Sequence, residues 1–109
     1  MKIFGIAAVL LGSFILTGCS QKLYVPSQEQ IVAAKVFLPE ADSSLLVQGH
    51  NLYKNKCSGC HFLYRPETYT EKEWDKFIPE MKERSKLTET EFGQIRVYLL
   101  ALSKKGPAR

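Results

Sequence analysis

The sequence predicts an all-α protein, a small domain of three main helices and no sheet. Three observations carry that expectation. Apolar residues after position 43 recur at helical spacing, and no run alternates as a half-buried strand would. Two Thr-x-x-Glu pairs, Thr70/Glu73 and Thr88/Glu91, each precede such a stretch. Each pair is a capping box, in which the two side chains answer unpaired backbone donors at a helix start. Gly106 and Pro107 then end the last pattern.

The first helix is expected over residues 44–56. The second opens after Thr70, with Tyr69 and Trp74 placed as a hydrophobic staple, and runs to about Arg84. Pro79 should kink it, because proline removes a backbone donor. The third opens after Thr88, with Leu87 and Phe92 as its staple. Its Phe92, Ile95, Leu99 and Leu102 follow helical spacing, so one face is apolar.

Ahead of the domain the chain changes character twice. Residues 1–18 read as a signal peptide: Lys2 gives a positive start and residues 3–16 carry no charge. That run falls short of the roughly 20 residues a spanning helix needs. It ends in Leu16, Thr17, Gly18 and Cys19, which resembles the bacterial lipobox, whose cysteine is acylated. The alternative is an ordinary signal peptide with an incidental Cys19. Residues 19–42 read as a lipidated N-terminus and spacer containing Pro26 and Pro39. Its apolar stretch 31–38 is either a brief helix lying on the domain or a sticky piece of linker. Residues 43–109 hold the chemistry.

Composition excludes several functions. The chain has 109 residues and a net charge of +4, and losing residues 1–18 removes only Lys2 among the charges. So weak a basic balance gives no case for nucleic acid as a partner. There is no Ser-His-Asp set, no phosphate loop and no carboxylate pair placed for acid–base work. No small-molecule substrate and no enzymatic activity are therefore expected.

The informative motif is Cys57, Ser58, Gly59, Cys60, His61. Two cysteines three apart set both sulfurs on one side of a helical turn, where each can add to a vinyl group of one porphyrin. The next histidine then falls beneath the ring to ligate its iron. C-x-x-C-H is the c-type haem attachment signal. Three rival readings stand beside it. A thioredoxin-like pair needs a preceding strand; the stretch before Cys57 reads as helix. A zinc site needs four ligands, and only His50 remains. A disulfide is permitted in an exported protein, but leaves His61 without purpose. Export also explains the odd cysteine: Cys19 to lipid, Cys57 and Cys60 to one covalent haem c. A domain this small needs such a staple.

Met81 is the expected second iron ligand. It is the only methionine besides Met1, and a His/Met pair raises the reduction potential. Pro79 just before it can turn the side chain toward the iron. Alternatives are Met81 as core filler, His50 as a competing ligand, and an open sixth position. His50 is expected at the surface.

From Gly49 onward the chain resembles the class I cytochrome c family. Gly49 stands eight residues before Cys57, and Tyr53 stands four before it. Cys60, His61, Met81 and Tyr98 complete the match. The resemblance implies that Gly49 lets the last helix cross closely, with Tyr98 packed there. It also implies a backbone carbonyl near Pro66 that holds the proximal histidine. The long Gly-Pro loop of larger members is absent. Phe62, Leu63, Tyr64, Trp74, Phe77, Ile78, Leu87, Phe92, Ile95 and Leu99 are expected to line the haem.

These readings imply a single-electron carrier with one His61/Met81-ligated haem. It would serve redox protein partners in a respiratory chain, on the periplasmic side of a bacterial membrane, anchored through Cys19. A haem-based sensor with an open sixth site, an accessory subunit of a larger redox complex and a thiol oxidoreductase remain as alternatives.

Overall fold

The structure, a computed structural model, describes residues 23–57 and 63–105. Four α-helices make up its architecture: α1 Gln28–Ala34, α2 Ser43–Cys57, α3 Glu71–Ser85 and α4 Glu89–Leu102. Among the described residues, a 3-10 turn, Pro66–Thr68, lies between α2 and α3. No strand occurs among the described residues; Thr70 and Lys104 form an isolated bridge. The all-α expectation holds, and the three expected helices are α2, α3 and α4.

The helix starts follow the capping chemistry. In α3 the Thr70 hydroxyl accepts from the Glu73 N–H, and the Glu73 carboxylate accepts from the Thr70 N–H. Thr88 and Glu91 repeat this at α4. A third box, Ser27 with Gln30, opens α1. Its Ser-x-x-Gln pattern is the same local signal in another residue pair. The Tyr69–Trp74 staple forms, its rings meeting edge to face at 5.2 Å. α3 ends at Lys86, whose left-handed backbone (φ 51°) lets Leu87 N–H reach the Lys82 carbonyl. Pro79 lies inside α3 without ending it.

α4 is the centre of the fold. It packs against α2, α1, α3 and the 3-10 turn. Ile95, Val97, Tyr98, Leu99, Leu100 and Ala101 are all buried, so α4 is covered around most of its circumference. A single apolar face was expected. The difference comes from α1, which docks on α4 with Ala34 fully buried. The stretch 31–38 is thus a short helix and turn lying on the domain. Ile31, Phe37 and Leu38 pack against the core with it.

The expected helix crossing is present. A β-carbon on Gly49 would lie 2.5 Å from the Gln94 carbonyl oxygen and 2.6 Å from the Tyr98 Cβ. Only glycine fits where α2 and α4 approach so closely. At the other end of α4 the Lys104 N–H donates to the Tyr69 carbonyl at 2.8 Å, tying it to the start of α3.

Candidate functional site

The end of α2 and one face of α3 make the walls of the site. Cys57, the last residue of α2, is buried. Tyr53 lies one turn earlier on the same helix and is buried too. Its hydroxyl donates to the Tyr64 carbonyl at 2.6 Å. Backbone on both sides of residues 58–62 is thereby held, by α2 before it and by Tyr53 after it. Burial raises the Tyr53 pKa above the ordinary phenol range.

On α3, Trp74, Phe77 and Met81 fall at i, i+3 and i+7, which stacks them on one face. The buried Trp74 indole N–H donates to the Pro66 carbonyl at 2.7 Å. That bond orients the ring and pins the 3-10 turn beneath it. The carbonyl expected near Pro66 thus meets Trp74. Its expected partner His61 lies outside the described residues.

These walls enclose a groove of about 340 Å³. Tyr53, Cys57, Leu63, Tyr64, Tyr69, Trp74, Phe77 and Met81 line it, with Glu80 and Arg84 alongside. Two expected site residues, Cys57 and Met81, are therefore brought to one cavity although 24 positions separate them in the chain. Cys60, His61 and Cys19 lie outside the described residues, as does Phe62.

The residues expected around a haem divide between this groove and the interhelical core. Leu63, Tyr64, Trp74 and Phe77 line the groove. Ile78, Ile95 and Leu99 do not; they are fully buried between the helices. Leu87 and Phe92 also belong to that interhelical core. Helical spacing marks a residue as inward-facing, but it cannot say whether protein or groove lies on that side. Tyr69 was missed as a wall residue. Its ring meets Tyr64, Trp74 and Phe77 edge to face at 5.4, 5.2 and 5.0 Å. Its staple position before α3 was the available signal. Glu80 and Arg84, an ion pair at 2.7 Å, follow from Phe77 at helical spacing.

His50 corrects a further expectation. It is half-buried rather than at the surface: it stacks on Tyr24 at 4.4 Å, and its Nδ1 lies 3.0 Å from the Tyr98 hydroxyl. Burial first, and Lys54 second, hold its pKa below the usual histidine value. It lines a second cavity of about 400 Å³ that shares Tyr53, Leu63 and Tyr64 with the groove. It is not among the groove's lining residues, where Met81 stands.

The donor set fits a c-type haem. The groove offers a thiol for thioether attachment, a thioether for iron ligation and five aromatic rings for a flat apolar macrocycle. Leu63, Tyr64 and Phe77 remain 37% to 49% exposed along it, an apolar rim of the kind that marks a binding groove.

Comparison with known proteins agrees at this level. No curated protein and no solved structure matches the chain. A protein-family model does match, over residues 53–109, and its description is dihaem cytochrome c. The match begins at Tyr53 and takes in the C-x-x-C-H motif, the whole of α3 and the whole of α4. The likeness to class I cytochromes accordingly holds at the level of a haem-binding, electron-transferring c-type cytochrome. With more than half of its residues matched, the chain belongs to the dihaem cytochrome c family.

Proposed function

We propose that this chain is a membrane-anchored single-electron carrier with one haem c. Cys57 and Cys60 bond the haem, and His61 and Met81 ligate its iron. The protein relays electrons between redox proteins of a respiratory chain, on the periplasmic side of a bacterial membrane. The observation that carries this reading is the groove that Cys57 and Met81 share.

The count of one haem rests on the cysteines. The chain has three, and only Cys57 and Cys60 stand at C-x-x-C spacing with a histidine next to them. The family's description names two haems, whereas residues 1–109 offer one C-x-x-C-H motif. Cys19, at the end of the lipobox-like sequence, takes the acyl anchor.

A bound haem supplies a one-electron couple at its iron. The protein decides how that couple is used. Met81 offers a neutral, soft sulfur, which favours the reduced iron and raises the potential. Trp74 and Tyr53 hold the buried wall and keep water from it. Phe77, Leu63 and Tyr64 leave an apolar edge open to a partner. Arg84, on the groove's margin, pairs with Glu80.

The test is spectroscopic, on full-length protein exported together with haem-attachment machinery. The expected result is one haem per chain by mass, a low-spin c-type spectrum with a weak sulfur-to-iron band, and no response to carbon monoxide. Met81→Ala should abolish that band and open the iron to carbon monoxide. A wild-type protein that binds carbon monoxide readily would favour a sensor, and two haems per chain would overturn the count.

A further inference from the structure

Large apolar side chains that stay well exposed among the described residues fall into two groups. Leu63, Tyr64 and Phe77 line the groove and are accounted for there. Leu23, Val25, Val32 and Val36 are 59% to 85% exposed, and nothing in the proposed electron-transfer role uses them.

All four lie in the short stretch between the start of the described chain and the end of the α1 turn. Along the extended segment before α1 the residues alternate. Leu23 and Val25 point outward, while Tyr24 turns in against His50 and Tyr98 and Pro26 is buried. In α1 the inward positions are Ile31, Ala33 and Ala34. Val32 is outward, and Val36 follows it by one turn. The helical course continues past Ala34, because Lys35 N–H reaches the Ile31 carbonyl and Val36 N–H the Ala33 carbonyl, each at 3.2 Å. The two valines therefore share one outer face. Other large apolar side chains of this stretch pack inward, so the exposed four are not a failure of the segment to fold.

We propose that the Val32/Val36 face, joined to the anchor through exposed Leu23 and Val25, rests on the lipid surface of the membrane that holds the anchor. The proposal rests on the reading of Cys19 as the acylated residue. What selects lipid as the occupant is where the chain leads. Cys19 stands four positions before Leu23, a span of at most about 14 Å. Acyl chains inserted at Cys19 therefore keep Leu23 and Val25 within reach of the headgroup–acyl boundary, where a half-buried apolar face is stable. The charges beside the valines are mixed, Glu29 with Lys35. Apolar contact rather than attraction to anionic lipid therefore holds the face down. Seated this way, the domain carries its haem groove at a fixed orientation to the bilayer instead of swinging freely.

The experiment uses the full-length, haem-loaded lipoprotein in vesicles of phosphatidylethanolamine and phosphatidylglycerol. A lipid bearing a diazirine on its acyl chain is included, and adducts are mapped by mass spectrometry after irradiation. Adducts on Val32 and Val36, several-fold above those on the exposed α3 residue Lys72, are expected. Adducts on the unaltered Val25 should fall in a Val32→Gln, Val36→Gln variant that remains vesicle-bound. Adducts confined to positions before Leu23, or equal on Val36 and Lys72, would overturn the proposal. The same spectra read the mass of the Cys19 peptide. Acyl mass on Cys19 with Val32 and Val36 unmodified defeats the membrane face alone. A Cys19 without acyl mass defeats the anchor and this proposal together.

Discussion

At Gly49 the absence of one methyl group sets how closely α2 and α4 cross. Replacing it with alanine would push a β-carbon into the Gln94 carbonyl and the Tyr98 Cβ, at 2.5 and 2.6 Å. Neither can yield cheaply, since one is backbone and the other is fixed to it. Gly49→Ala should therefore cost about 1–3 kcal/mol in urea unfolding. Gly93 is the internal control, because a β-carbon there meets nothing within 4 Å. Gly93→Ala should stabilise the domain by about 0.5–1 kcal/mol, since glycine loses more backbone freedom on folding than alanine. Gly49 was legible in the sequence through its offset from Cys57. The environment of His50 was not. Its stacking partner Tyr24 lies in a segment read as spacer, and only folding brings the two rings together.

Each of α1, α3 and α4 begins at a capping box, and this makes the fold pH-sensitive in a predictable direction. The Glu73 pKa is lowered, chiefly by the Thr70 backbone N–H, and the Glu91 pKa likewise by that of Thr88. A carboxyl whose folded pKa is depressed contributes stability above its unfolded value, here about 4.5. That contribution is lost as pH falls through the folded value. Unfolding midpoints should drop below about pH 4.5, and a Glu73→Gln, Glu91→Gln variant should show a flatter acid limb. At neutral pH, Thr70→Ala or Thr88→Ala should each cost about 1 kcal/mol. His50 adds an earlier, separate decline. Its folded pKa lies below 6.5, so its contribution begins to fade as pH drops past that value. The starts of α3 and α4 were legible because each rests on a Thr/Glu pair. A capping box is a local interaction, readable three residues apart.

At the scale of the whole molecule, α4 is surrounded, and one of the elements around it is α1. The 23–38 segment therefore carries stability, because its helix docks on α4. Deleting residues 23–38 should lower the stability of the haem-loaded domain by about 2 kcal/mol or more, since it exposes apolar surface on α4 and removes Ile31, Ala34, Phe37 and Leu38 from the core. Urea denaturation followed by circular dichroism would measure this. An unchanged midpoint would show that α1 is an ornament on a domain complete without it. Ion pairs add less: the Arg96–Asp75 pair between α4 and α3 spans 2.9 and 3.2 Å but is well exposed. Such pairs contribute at most about 1 kcal/mol.

The sequence by itself determined the helical class, the starts of α3 and α4, the close α2–α4 crossing and the haem-attachment motif. All of these depend on residues near one another in the chain or at offsets a family shares. Only the tertiary structure decided that Met81 and Cys57 face one groove and that Tyr69 helps wall it. It alone showed that Ile78, Ile95 and Leu99 serve the helix interface, and that the stretch 31–38 belongs to the domain. The physical reason is common to these cases. An amphipathic pattern states that a side chain leaves water, while what it meets there is set by elements distant in sequence whose approach no local interaction encodes.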